Sequence, residues 1–181
     1  MFIIFMGVSG CGKTTIGKLT ASHLNFPFYE GDQFHPPENI DKMSQGIPLT
    51  DQDRHAWLSA LSNLIHTKLN ANETGVLACS ALKESYRKRL KVDDELVCFI
   101  YLKGDYDLIL SRMKARNGHY MPPDLLKSQF DVLEEPADAI TVNIIALSPE
   151  EIVSEVLMSL AKKGVIKNIN ADGLDNCISK N

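Results

Sequence analysis

No C-x-x-C pair occurs among the four cysteines Cys11, Cys79, Cys98 and Cys177, which argues against a zinc site. No apolar run approaches the ~20 residues of a membrane helix. The segment 1–6 is too short for a secretory leader and lacks its basic flank. Positive charge is not in excess: 19 basic against 23 acidic side chains leave a formal net charge of −4. That disfavours nucleic acid or an anionic membrane as the main partner. Internal repeats and low-complexity tracts are absent, as are the N-K-x-D and D-x-x-G motifs of a GTPase. The composition is otherwise ordinary, with 44% hydrophobic and 23% charged residues. A chain of 181 residues fits one domain with a substantial core, and the reducing cytoplasm is the expected compartment.

Against that background one motif stands out. Gly7-Val8-Ser9-Gly10-Cys11-Gly12-Lys13-Thr14 fits G-x-x-x-x-G-K-[ST], follows a short apolar run and precedes a helical stretch. In a loop of this kind successive N–H groups converge on one phosphate, and the helix N-terminus adds about half a positive charge. Lys13 reaches the β- and γ-phosphates, and Thr14, followed by Thr15, offers a hydroxyl to Mg²⁺. The site therefore calls for ATP and Mg²⁺. Motor and AAA-type ATPases need a larger domain, which leaves a small-molecule kinase.

Apolar and helical segments alternate, the pattern of an α/β fold with a parallel sheet. Strands are expected at 2–6, 28–30, 75–79, 97–102 and 141–145. Helices are expected at 13–24, 53–70, 83–90, 106–116, 123–133 and 149–163. Residues 31–50 and 117–123 read as irregular inserts of the kind that form lids and binding loops. The kinase domain spans 1–164, with a substrate-binding insert at about 32–72 and a mobile lid at about 115–123. The polar tail 165–181 is expected to fray.

Ligands of open α/β sheets bind beyond the carboxyl ends of the strands. Asp32 follows the second strand and is the main catalytic candidate, able to accept or position the proton of an acceptor hydroxyl near Mg²⁺. Lys83 and Arg87 share a helix face, as do Arg112 and Arg116 before the second insert. An arginine on a closing lid stabilises a transferring phosphoryl group, a role that fits Arg112 and Arg116. Arg54, Lys83 and Arg87 suit an acidic acceptor. His35 and His119 lie in the two inserts and can reach substrate hydroxyls. Trp57 falls at helical spacing with Leu58 and Leu61, which reads as core.

The chain resembles the small P-loop gluconokinases. The resemblance rests on the P-loop with Met6 and Thr15, on Gly31-Asp32-Gln33-Phe34-His35-Pro36, and on Asn39, Lys42-Met43 and Gly46-Ile47-Pro48-Leu49. It continues through Asp51-Gln52-Asp53-Arg54, Ala78-Cys79-Ser80-Ala81-Leu82-Lys83, Tyr86-Arg87, Gly118-His119-Tyr120-Met121-Pro122 and Ser128-Gln129-Phe130. It implies a three-layer P-loop NTPase fold with a parallel sheet of order 2-3-1-4-5. It also implies phosphorylation of D-gluconate by ATP with Mg²⁺ in a homodimer, a step that feeds the pentose phosphate pathway. Gluconate would meet some of Asp32, His35, Arg54, Lys83, Arg87, His119 and Gln129. Thr14 and Asp32 would hold the metal, and the nucleotide would meet the P-loop, Arg112, Arg116 and the loop at Pro149. Two alternatives stay open: a kinase for another small acid such as shikimate, and a nucleotide-binding regulator without turnover.

Overall fold

The computed structural model describes residues 1–115 and 123–166. Five strands, β1 (Phe2–Met6), β2 (Phe28–Glu30), β3 (Gly75–Ala78), β4 (Val97–Lys103) and β5 (Ile140–Asn143), form one sheet of order β2-β3-β1-β4-β5. Every neighbouring pair is parallel, with Phe2 level with Gly75 on one side and with Val97 on the other. The sheet thus grows from β1 in both directions, and all strand ends that carry chemistry emerge on one edge.

The helices are α1 (Lys13–Leu24), α2 (Pro37–Ser44), α3 (Asp51–Asn70), α4 (Glu84–Leu90), α5 (Tyr106–Ala115), α6 (Pro123–Asp131) and α7 (Pro149–Lys162). β1 is wholly buried, and its alternation divides the core. Ile3 and Phe5 face a cluster with Ile16, Ile109, Val153 and Val156 from α1, α5 and α7. Phe2, Ile4 and Met6 face Trp57, Leu61 and Ile65 of α3 and Leu90 of α4. A sheet covered on both faces is the arrangement that near-continuous apolar strands require.

The structure corrects the sequence reading of 31–50. That segment holds a 3₁₀ turn at Gly31–Phe34 and the helix α2. Pro37 at the first helical turn and Glu38 beside the positive dipole end favour α2, and Gly46 at φ +71° follows its end. α3 starts two residues earlier than expected. Thr50 caps it in a box with Asp53: the Asp53 N–H donates to the Thr50 hydroxyl and the Thr50 N–H to the Asp53 carboxylate. Ser148 caps α7 through the same box with Glu151.

Candidate active site

The P-loop leaves β1 through three left-handed glycines, Gly7 (φ +136°), Gly10 (φ +84°) and Gly12 (φ +102°). Side chains are excluded as well as strained there: a Cβ on Gly10 would meet Met113 Cγ at 2.8 Å, and one on Gly7 would meet Cys11 Sγ at 2.9 Å. Gly12 is the N-cap of α1 and offers no side chain to its first amides, nor does any acid stand in that first turn. Its positive end thus stays available to an anion. Lys13 Nζ arches over the loop and donates to the carbonyls of Gly7 (3.1 Å) and Val8 (3.0 Å). Cys11 is fully buried beneath it, and Thr15 faces outward.

A cleft of about 490 Å³ opens beside this loop. Ser9, Gly10, Gly12, Lys13 and Thr14 line it from the P-loop. Glu30, Asp32 and His35 line it from the end of β2, Arg54 and Trp57 from α3, and Gln129 from α6. Asp32 therefore shares one space with the phosphate loop, as the strand-end argument requires. The Thr14 hydroxyl donates to Glu30 Oε2 at 2.7 Å. Glu30 was not foreseen, although its place two residues before Asp32 at a strand end is the signal that could have found it.

The turn that carries Asp32 is pinned from behind. Trp57 Nε1–H donates to the Gly31 carbonyl at 2.7 Å, and its indole stacks on His35 with ring centroids 4.3 Å apart. Gly31 has no room for a side chain, since a Cβ there would lie 2.4 Å from the Ala78 carbonyl oxygen. Burial lowers the His35 pKa and nearby Arg54 adds to the shift, while Asp32 opposes it. The ring is thereby held toward its neutral form. Cys79, behind the same turn, has its thiol pushed up to about 12 by burial and supplies no thiolate.

The expected cations separate into distinct roles. Arg54 lines the cleft, donating from Nη1 to the Leu49 carbonyl and, at 3.5 Å, to the Tyr86 hydroxyl. Lys83 stands outside the cleft lining, paired with Asp51 at 2.8 Å; Asp51 also accepts from the Tyr86 hydroxyl. Arg87 stands apart from the residues that line the cleft. It is buried, and Nη1 donates to the carbonyls of Ala81 and Leu82, both at 3.1 Å. Its task is to hold the turn after β3, where Ala81 has φ +44°. Arg112 Nη2 donates to the Ile144 carbonyl at 3.1 Å, beyond β5, and the residue is not among those that line the cleft.

Gln129 lines the cleft but also braces the P-loop. Its Oε1 accepts from the Ser9 N–H at 2.7 Å and its Nε2 donates to the Ser9 hydroxyl at 3.2 Å. Arg116 and His119, with most of the expected lid at 116–122, lie outside the described residues, as does the tail beyond residue 166.

A family model described as shikimate kinase matches residues 9–161. The chain is similar to the thermosensitive gluconokinase of Escherichia coli (strain K12), at 53% identity over 133 residues, 74% of this chain and 71% of that one. It is 42% identical to the thermoresistant gluconokinase of the same organism over 163 residues, 89% of this chain and 93% of that one. Among solved structures it is similar to a gluconokinase from Sinorhizobium meliloti 1021, with a TM-score of 0.81 and 44% identity, covering 89% of this chain and 91% of that one.

Proposed function

The chain belongs to the shikimate kinase family, among its gluconokinases, and from that premise we propose that it transfers the γ-phosphoryl group of ATP to D-gluconate, giving 6-phospho-D-gluconate. The observation that carries the reading is that the P-loop, Asp32 and Arg54 line one cleft. A phosphate donor and an acidic polyol require those three elements in one space.

In this proposal the P-loop amides and Lys13 bind the ATP phosphates, with Gly7, Cys11 and Thr15 supporting the loop. Asp32 accepts or positions the proton of the acceptor hydroxyl. Arg54 receives the gluconate carboxylate, since a guanidinium matches a carboxylate in two parallel hydrogen bonds. His35 meets acceptor hydroxyls. Gln129 steadies the P-loop at the edge of the acceptor space. Arg112, Arg116 and Pro149 serve the nucleotide, and His119 serves the acceptor. The acceptor carboxylate approaches Lys83 only if the Asp51 pair opens, so Lys83 is a secondary contact.

Mg²⁺ fits the residues present. Thr14, Glu30 and Asp32 offer only oxygen donors to one cleft, with few enough carboxylates to leave room for phosphate oxygens. Bound there, the ion would neutralise phosphate charge. A homodimer and a cytoplasmic location, with the product entering the pentose phosphate pathway, complete the proposal.

The test is ADP release from Mg-ATP with gluconate, shikimate, glycerate and nucleoside monophosphates offered separately. Turnover with gluconate alone is expected. The name of the matching family model favours shikimate as the competing acceptor, and turnover with shikimate alone would replace the reading by that one. No turnover with any acceptor would leave a nucleotide-binding regulator.

A further inference from the structure

Asn39, on α2, is 3% exposed and points its side-chain nitrogen at two neighbours. One is the backbone carbonyl of Asp53 at 2.9 Å; the other is Nδ1 of His35 at 3.2 Å. A carbonyl only accepts, so the amide nitrogen, not the amide oxygen, faces this side. The second amide hydrogen then meets His35 Nδ1, and a ring nitrogen that accepts a hydrogen bond carries no proton. The single proton of the neutral ring sits on Nε2. That nitrogen has no hydrogen-bond partner among the described residues, and His35 lines the cleft together with Asp32. The ring is held in place by its stack on Trp57, which the Gly31 carbonyl anchors in turn.

We infer that Asn39 is a positioning residue for the acceptor: it fixes the tautomer of His35, so that the ring presents an Nε2–H donor to a substrate hydroxyl oxygen while Asp32 presents an acceptor to a hydroxyl proton. The inference rests on the polyol acceptor proposed above and deepens it. A hydroxyl carries one proton and two lone pairs. A wall of carboxylates serves the proton and leaves the lone pairs unmatched, whereas a donor beside an acceptor serves both. Because Asn39 occupies the Nδ1 lone pair, His35 has no basic nitrogen to offer the reaction, and the proton goes to a cleft carboxylate, the role proposed above for Asp32.

A long-range ¹H–¹⁵N correlation spectrum of the labelled protein, with His35 assigned by its loss in His35→Gln, reads which ring nitrogen is protonated. The expected result is a proton on Nε2 alone in the wild type and a mixture of tautomers in Asn39→Ala. In rate measurements, Asn39→Ala and His35→Asn should raise the gluconate KM about tenfold, the effect of losing one hydrogen bond, with the ATP KM unchanged. His35→Gln, whose amide nitrogen extends to the Nε2 position, should recover most of the loss seen in His35→Asn. The histidine pair keeps the idea testable if Asn39→Ala fails to fold without its Asp53 contact. A wild-type proton on Nδ1, or equal losses in His35→Gln and His35→Asn, would overturn the inference. An Nε2 proton in an enzyme that does not turn over gluconate would overturn the functional reading and support the tautomer assignment.

Discussion

Replacing Trp57 by Phe tests how the turn that carries Asp32 is held. Trp57 is the one tryptophan of the chain, is 1% exposed, and packs with Phe2, Ile4 and Leu61. Phe keeps a ring in that cluster and removes the indole N–H that reaches the Gly31 carbonyl at 2.7 Å. Gly31 is buried, so its carbonyl loses its donor where water does not readily replace it, at a cost of about 1–3 kcal/mol. The missing second ring leaves a void of roughly 40 Å³, which at ~24 cal/mol per Å³ adds about 1 kcal/mol. A total near ~3 kcal/mol corresponds to a fall in Tm of about 6–12 °C for a domain of this size. The same tether sets the position of Asp32, one residue along. The kcat with gluconate should fall and its KM rise, while the ATP KM stays as in the wild type because the P-loop is untouched. Calorimetry and initial rates with each substrate varied read both effects. A Tm within about 2 °C of the wild type, or equal losses toward ATP and gluconate, would refute the reasoning.

The other outcomes follow from separate contacts. Asp32→Asn should lower kcat by about 10²-fold or more while ATP binding, read by titration without acceptor, is retained; near-normal turnover would remove Asp32 from the mechanism. Arg54→Ala should raise the gluconate KM about tenfold or more, at ~1.4 kcal/mol per decade, without comparable loss of Tm. Arg87→Met should do the reverse, lowering Tm through the released Ala81 and Leu82 carbonyls and changing the gluconate KM less. Lys42, then the Thr50 N–H and hydroxyl, hold the Asp53 carboxyl at about 2, below its usual 3.8. A depressed carboxylate stabilises the fold above its unfolded value and loses that contribution as pH falls through the folded one. Acid unfolding of the wild type should therefore be steeper between about pH 4 and pH 2 than that of Asp53→Asn, as followed by circular dichroism.

What could be read before folding was local. The P-loop is a set of backbone requirements, left-handed glycines followed by a helix start, and each is met by residues within eight positions. The strands and their parallel direction follow from short apolar runs alternating with helices, the order β2-β3-β1-β4-β5 was implied by the resemblance alone, and Asp32 follows from its place just beyond a strand. The helix α2 was missed because its eight residues are mostly polar and bracketed by Pro36, Pro37 and Gly46, which locally read as breakers.

The sequence by itself determined the fold class, the phosphate loop and the place of Asp32 beyond a strand end in the cleft. Only the tertiary structure decided which charges serve the cleft. Arg54 and Arg87 are the same residue type on adjoining helices; closure of α3 and α4 onto the sheet turns one into the cleft and buries the other against the chain. Thr14 meets Glu30 across 16 residues, His35 meets Trp57 across 22, and Gln129 meets Ser9 across 120. Propensity and periodicity act over a few residues along the chain, whereas these pairings exist only after distant segments have been brought together by burial of the two faces of the sheet.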